Sequence, residues 1–282
     1  MAEVLYGKPV ADALCEELAG RIATLKAQGT NPTLAILRVG AREDDLAYER
    51  GASKRFDGLG IQIRKFELPL DCSQEQLLEA IEEINKNPEI HGCLMFRPLP
   101  EHLDEEEACR AIRPAKDMDG ITQGSMFGMF ANQPVGYPPC TAEACIRILE
   151  HYGVELAGAK TCVIGRSLVV GKPVSMMLQA RDATVTMCHT RTRDLKAIAQ
   201  GAEVLVVAAG SIGLIGPDSV SPGQTIIDVG INWDEENDKL SGDVRFDEVE
   251  PIVAALTPVP GGVGAVTTAV LASHVVDAAE RL

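Results

Sequence analysis

The 282-residue chain has no run of about 18 apolar residues, so no membrane-spanning helix is expected. Its first residues, MAEVLYGKPVADALCEELAG, carry acids early and lack the apolar core of a signal peptide, which points to a cytoplasmic location. Positive charge is also scarce: 26 Lys and Arg stand against 41 Asp and Glu, a net charge of −15. Nucleic-acid binding rests on neutralising phosphates with cations, so that class is excluded. Any anionic ligand needs a local basic patch to offset the global field. No C-x-x-C pair occurs among Cys15, Cys72, Cys93, Cys109, Cys140, Cys145, Cys162 and Cys188, and most sit in apolar runs such as GCLMF and TCVIG. They read as reduced, buried thiols and not as a disulfide framework. The five histidines lack ligand spacing, so no metal site is expected.

What is present is a soluble composition, 46% hydrophobic and 24% charged, with enough length for two domains. Helical and strand patterns alternate from the start. PVADALCEELAGRIATLKAQG has helical spacing, TLAILRVG reads as a strand, DDLAYERGASKRFDGLG as a helix and IQIRKFEL as a strand. CSQEQLLEAIEEINKNP opens with Ser73 and Gln76 in capping-box spacing, and HGCLMFRPLP makes a third strand. Residues 121–139, ITQGSMFGMFANQPVGYPP, lack charge and period and read as a long connection. The helical TAEACIRILEHYG then leads into a second alternating series: KTCVIG, VSMMLQARD, ATVTMCH, LKAIAQG, EVLVVAAG and TIIDVG. AVTTAVLASHVVDAAERL is helical and is expected to pack back across the domain junction. The fold class is therefore α/β, two domains, each a mostly parallel sheet flanked by helices, the C-terminal one Rossmann-like. The boundaries are 1–140 plus 266–282 for one domain and 141–265 for the other.

KTCVIGRSLVVGKP is a strand running into Gly165, with Arg166, Ser167 and Gly171 before a helix. The spacing G-x-S-x-x-x-G differs from G-x-G-x-x-G, but a small residue still lets backbone approach a pyrophosphate at a helix N-terminus. Such a glycine also occurs in turns for purely steric reasons. The end of the next strand reads the adenosine ribose, where a carboxylate favours NAD. Here His189, Thr190, Arg191, Thr192 and Arg193 precede the first acid, Asp194, so NADP is favoured with NAD as the alternative. VVAAGSIGLI and IIDVGIN end strands at the ligand-binding carboxyl edge and add Gly210 and Ile231. Asp228 reads as a capping residue.

IRPAKDMDGIT places Lys116, Asp117 and Asp119 on a turn, and LTPVPGGVGAVT is a proline–glycine loop feeding a helix. Taken with RPLP at 97–100, PCT at 139–141, GDV at 242–244 and Tyr48 twelve residues before Gly60-Ile61, these segments follow one order along the chain. They resemble the bifunctional methylenetetrahydrofolate dehydrogenase/methenyltetrahydrofolate cyclohydrolases nearly end to end. The resemblance implies a homodimer with an N-terminal folate domain, a C-terminal NAD(P) domain and a cleft between them. It implies oxidation of 5,10-methylenetetrahydrofolate by hydride transfer to the nicotinamide, then hydrolysis of the methenyl product to 10-formyltetrahydrofolate. It also implies that Tyr48 stacks on the folate, Asp119 hydrogen-bonds the pterin, and the loop with Pro260, Gly261 and Gly262 lines the folate side.

The chain departs from this family at telling places. The family carries Y-x-x-x-K on the helix after the first strand, and the fourth position after Tyr48 is Ala52. Lys54, six positions on, lies about 240° around a helix and faces elsewhere. MFRPLP stands for the family's V-Q-L-P-L-P, placing Phe96 at the glutamine and Arg97 at a leucine. Asp45 stands where a serine is usual; PCTAEA and GVGAVT replace P-C-T-P-x-G and G-V-G-P-M-T. In the family the lysine and glutamine serve hydrolysis, so that step is expected to be weak, absent or carried by Asp45 or Arg97. Two other classes stay open: an NADP-dependent dehydrogenase of another small substrate, and a non-catalytic folate- or nucleotide-binding regulator.

Overall fold

The computed structural model describes residues 1–235 and 238–281. In chain order the first elements are β1 (Glu3–Val4), α1 (Gly7–Ala27), β2 (Thr33–Val39), α2 (Glu43–Leu59), β3 (Gln62–Leu68), α3 (Gln74–Lys86) and β4 (Gly92–Met95). Next come α4 (Glu105–Ala111), α5 (Gln123–Ala131), α6 (Cys140–His151), β5 (Lys160–Ile164), α7 (Gly171–Gln179), β6 (Thr184–Cys188) and α8 (Leu195–Gln200). The last are β7 (Val204–Val207), β8 (Thr225–Asp228), β9 (Asn232–Asp234), β10 (Lys239–Ser241), α9 (Phe246–Val249), β11 (Ala255–Leu256) and α10 (Thr267–Arg281).

Two compact units result: Ala13–Cys140 with Thr268–Leu282, and Met1–Asp12 with Thr141–Thr267. The first contains a three-stranded parallel sheet in the order β3-β2-β4. β2 is central, and its apolar run is buried on both faces, as a parallel strand between helices requires. α2 carries Glu43, Asp44 and Asp45 in its first turn, where the helix dipole favours anions, and ends at Gly60 with φ +70°. α3 begins with the capping box: Gln76 N donates to Ser73 Oγ (3.2 Å) and Ser73 N to Gln76 Oε1 (2.9 Å). α10 belongs to this unit, where Arg21 pairs with Asp277 (2.5 Å) and Glu280 (2.6 Å). The sequence extends that helix to Leu282, which lies outside the described residues.

The second unit is built on a six-stranded parallel sheet, β1-β11-β8-β7-β5-β6, with β9 and β10 as an antiparallel pair. From β5 the chain crosses through α7 to β6 on one side, then returns through α8 to β7 on the other. The strand order therefore reverses between β5 and β7, and ligands of open α/β sheets bind at the carboxyl edge of such a point.

The structure corrects two expectations. The first twelve residues belong with the C-terminal unit, because Glu3 and Val4 pair with Ala255 and Leu256. The boundary drawn at 1–140 missed this because a two-residue strand has no detectable period. The supposed connection 121–139 contains α5, capped by Thr122, whose side chain accepts from Ser125 N, and closed by Asn132 at φ +51°. Its residues give no amphipathic signal because Phe127 and Phe130 are exposed while Ser125 and Gly128 are buried.

Candidate functional site

At the switch point the chain leaves β5 through Gly165, whose φ of +130° is open to glycine and strained for other residues. A Cβ there would collide with the Ala208 carbonyl, and one at Gly171 would collide with the Gly165 carbonyl. Ser167 Oγ shapes the turn by accepting from Val170 N (3.1 Å) and Gly171 N (3.4 Å). Arg166, Leu168 and Val169 are exposed on it. At the end of β6, His189 N donates to Thr192 Oγ1 (2.8 Å) and Arg191 N donates to His189 Nδ1 (3.1 Å). That second bond leaves the ring proton on Nε2. Thr190 and Arg191 are exposed there. The backbone approach at Gly165 and the cations Arg166 and Arg191 on two neighbouring strand ends fit a dinucleotide with an additional ribose phosphate.

Behind this turn two buried carboxylates organise the neighbouring loops. Asp243 accepts from Ala209 N (2.6 Å), Gly210 N (2.9 Å), Ser211 N (2.7 Å) and Asn232 Nδ2 (3.0 Å). Asp228, the last residue of β8, accepts from Gly230 N (3.0 Å), Asp243 N (3.1 Å) and Val244 N (2.9 Å). Burial pushes the Asp228 carboxyl up to about 6, outweighing the three amides that favour its charge. Gly210 (φ +65°) and Ile231 (62% exposed) project from the loops that these carboxylates tie. Pro260, Gly261 and Gly262 lie in the same unit, where they line a cavity of about 270 Å³ together with Ile231 and Ala265. Gly261 adopts φ +104°, and its carbonyl accepts from Gly7 N (2.8 Å).

In the other unit, α2 and the end of β4 supply the remaining candidates. The inner face of α2 is Asp45, Glu49, Ala52 and Phe56, a 4-3-4 spacing that follows the helical repeat. Ala52 is fully buried and Lys54 is exposed, so the lysine lies off this face, as the helix geometry requires. Tyr48 is half-buried and meets Phe96 edge-on, centroids 5.9 Å apart at 82°. Glu49 is buried between Arg38 (3.2 Å) and Lys65 (2.5 Å). Asp45 is buried near Arg42 (3.8 Å), and burial raises its carboxyl above the usual range against that cation. Arg97 pairs with Glu105 (3.4 Å), whose other oxygen accepts from Leu99 N (2.8 Å). A guanidinium offers donors only, so a part for Arg97 in hydrolysis is that of a cation beside the reacting groups and not that of a base.

The 116–120 turn runs beside β4 through a bridge between Cys93 and Asp117. Asp117 is spent internally: it accepts from Ile121 N (3.1 Å), Thr122 N (2.8 Å) and Ser125 Oγ (2.6 Å). Lys116 caps α3, donating to Ile84 O and Asn87 O at 2.7 Å. With both flanks pinned, Asp119 is held with Oδ1 accepting from Cys140 N (2.8 Å). Loss of water around the carboxyl raises its pKa, and that amide partly offsets the rise. His274, which the sequence did not mark, contacts Met118 O through Nδ1 (2.8 Å) and stacks obliquely on Tyr137 at 4.9 Å. Its only sequence signal was a histidine on the buried face of α10. Among the described residues no group of His, Cys, Asp and Glu could hold a metal ion. All eight cysteines are free, and among the described residues no helix is long and apolar enough to cross a membrane.

Residues 5–119 match the model of the tetrahydrofolate dehydrogenase/cyclohydrolase catalytic domain, and residues 139–282 match that family's NAD(P)-binding domain. The bifunctional protein FolD of Carboxydothermus hydrogenoformans is 52% identical over 283 residues, covering 100% of this chain and 99% of the relative. The crystal structure of the FolD dehydrogenase/cyclohydrolase of Campylobacter jejuni superposes with a TM-score of 0.96 at 34% identity, covering 100% of both chains. The Trypanosoma brucei enzyme, solved with NADP and an inhibitor, gives 0.92 at 33% identity over 99% of this chain and 98% of that one. With both domain models matched in order and close relatives aligned over their full length, this chain belongs to the tetrahydrofolate dehydrogenase/cyclohydrolase family.

Proposed function

We propose that this protein oxidises 5,10-methylenetetrahydrofolate to the methenyl form with NADP as acceptor, and that its hydrolysis of the methenyl product is weak or depends on Asp45. Full-length similarity to enzymes named for the first reaction supports the dehydrogenase assignment. The exposed Arg166 and Arg191, with no acid before Asp194, support NADP over NAD. When bound, the nicotinamide nucleotide supplies the hydride acceptor. The chain's own contribution to that step is placement. Tyr48 offers an aromatic face that Phe96 meets edge-on, and Asp119, anchored by the Cys140 amide, presents a carboxylate acceptor for a pterin N–H.

Hydrolysis makes a different demand, because a water beside the methenyl carbon must lose a proton. General acid/base assistance is worth roughly 10²–10⁴-fold. The observation that carries the reduced-hydrolysis reading is the fully buried Ala52 on the inner face of α2, with the phenyl ring of Phe96 against Tyr48. Neither side chain moves a proton. Asp45 is the ionisable group left on that face whose raised pKa brings it toward the range of a base.

Two parallel assays test this: reduction of NADP and NAD with methylenetetrahydrofolate, and loss of methenyltetrahydrofolate absorbance. Rapid reduction of NADP with hydrolysis near the uncatalysed rate is the expected result. Hydrolysis well above that rate and unchanged in Asp45→Asn would refute both the reduced-hydrolysis reading and the substitute base. A homodimer and a cytoplasmic location are part of the proposal, checked by sedimentation and by cell fractionation.

A further inference from the structure

One carboxylate collects three consecutive backbone amides. Ala209, Gly210 and Ser211 all donate to Asp243, which has no exposed surface. Pairing of β7 with β8 already runs from Val204↔Thr225 to Val207↔Asp228, so the sheet does not need this anion. What it holds is the loop beyond the strand end. The surrounding backbone is shaped to admit it: a Cβ at Gly230 would collide with Asp243 Oδ1, and one at Gly242 with Asp228 Oδ2. Asp228 fixes Asp243 in turn by accepting from its amide (3.1 Å).

A trans peptide points its carbonyl opposite its N–H, and the cis bonds among the described residues, Arg97-Pro98 and Val259-Pro260, lie elsewhere. With the amides of 209–211 turned toward Asp243, the carbonyls of 208–210 point away from it. That of Ala208 lies against Gly165, on the nucleotide turn.

We propose that Asp243 is a positioning residue for the nucleotide, holding loop 208–211 with its amides inward and its carbonyls outward. The loop then accepts hydrogen bonds from hydroxyl or carboxamide groups of the nucleotide and offers no amide to a phosphate. This rests on assigning Gly210 to the nucleotide site.

The test uses the full chain. Hydrogen exchange of the unaltered protein is compared with and without NADP, and KM is measured for each substrate in Asp243→Asn and Asn232→Ala. An asparagine keeps one acceptor oxygen, so amides lose partners. The nucleotide KM is expected to rise about tenfold or more, with the folate KM within about twofold. Asn232→Ala, which removes one donor to Asp243, is expected to move the nucleotide KM the same way by a smaller factor. Exchange protection of 208–213 by NADP, with unchanged nucleotide KM in both variants, overturns the positioning role. Equal rises in both KM values, or a lower kcat and Tm alone, also overturn it, since they mark a merely structural residue. If Asp243→Asn does not fold, the nucleotide KM of Asn232→Ala decides the matter. Absence of protection at 208–213 in the unaltered protein sinks the site assignment instead.

Discussion

Asp228 sets burial against hydrogen bonding in one measurable number. The residue is 4% exposed, its carboxyl accepts three amides, and the balance places its pKa at about 6. In the unfolded chain an aspartate titrates at about 3.9, so raising it to about 6 in the fold corresponds to about 3 kcal/mol. A carboxyl raised in the folded state favours folding where it is protonated there. That contribution is complete below pH about 4 and is lost as pH rises through about 6. Between those values the folded state binds one more proton than the unfolded state at this site, a slope of up to about 1.4 kcal/mol per pH unit. Asp228→Asn is neutral throughout and carries only a constant offset. The stability of the unaltered protein minus that of the variant is therefore expected to grow by about 2.4 kcal/mol from pH 7.5 to pH 4. Urea titrations followed by Trp233, the single tryptophan and a member of this unit, provide the assay. A difference that stays flat, or shrinks as pH falls, refutes the reasoning and means the three amides outweigh burial.

Glu49→Ala removes the buried carboxylate shared by Arg38 and Lys65, and because Arg38 keeps Glu67 (2.6 Å) the cost is about 2 kcal/mol, read as a lower urea midpoint at unchanged m. Gly242→Ala drives a methyl into Asp228 and is expected to yield little folded protein, whereas Gly153→Ala meets open space and bears only its left-handed φ of +67°, about 1 kcal/mol. Soluble yield and Tm separate the two. Phe96→Leu removes the edge contact on Tyr48, worth about 1 kcal/mol, and is expected to raise the folate KM about fivefold without moving the nucleotide KM.

Much of the fold was legible because its signals are periodic. All three strands of the first unit, and β5, β7 and β8 of the second, stand where strand-like runs end in glycine or proline. The capping box at Ser73 needed only two residues at fixed spacing. What escaped notice lacked a period. β1 and β11 are two residues each, and α5 turns phenylalanines outward, so neither carries an alternation that a sequence window detects.

The site divides along the same line. Tyr48, Ala52 and Lys54 share one helix, so angular arithmetic alone separates the buried alanine from the exposed lysine. Asp243 and Asp228 are 15 residues apart; Asp243 acts through the amides of 209–211, and Asp228 through those of Gly230, Asp243 and Val244. An amide donor has no side-chain identity, so no residue type at 209, 210 or 211 announces the carboxylate that it serves. Only the glycines at 230 and 242 record the two acids, because Asp243 Oδ1 and Asp228 Oδ2 occupy the space of their absent Cβ atoms. A glycine that sits beside a buried acid is thus informative in a way that a glycine ending a strand is not. The first reports a group that must be accommodated, and the second reports only a turn.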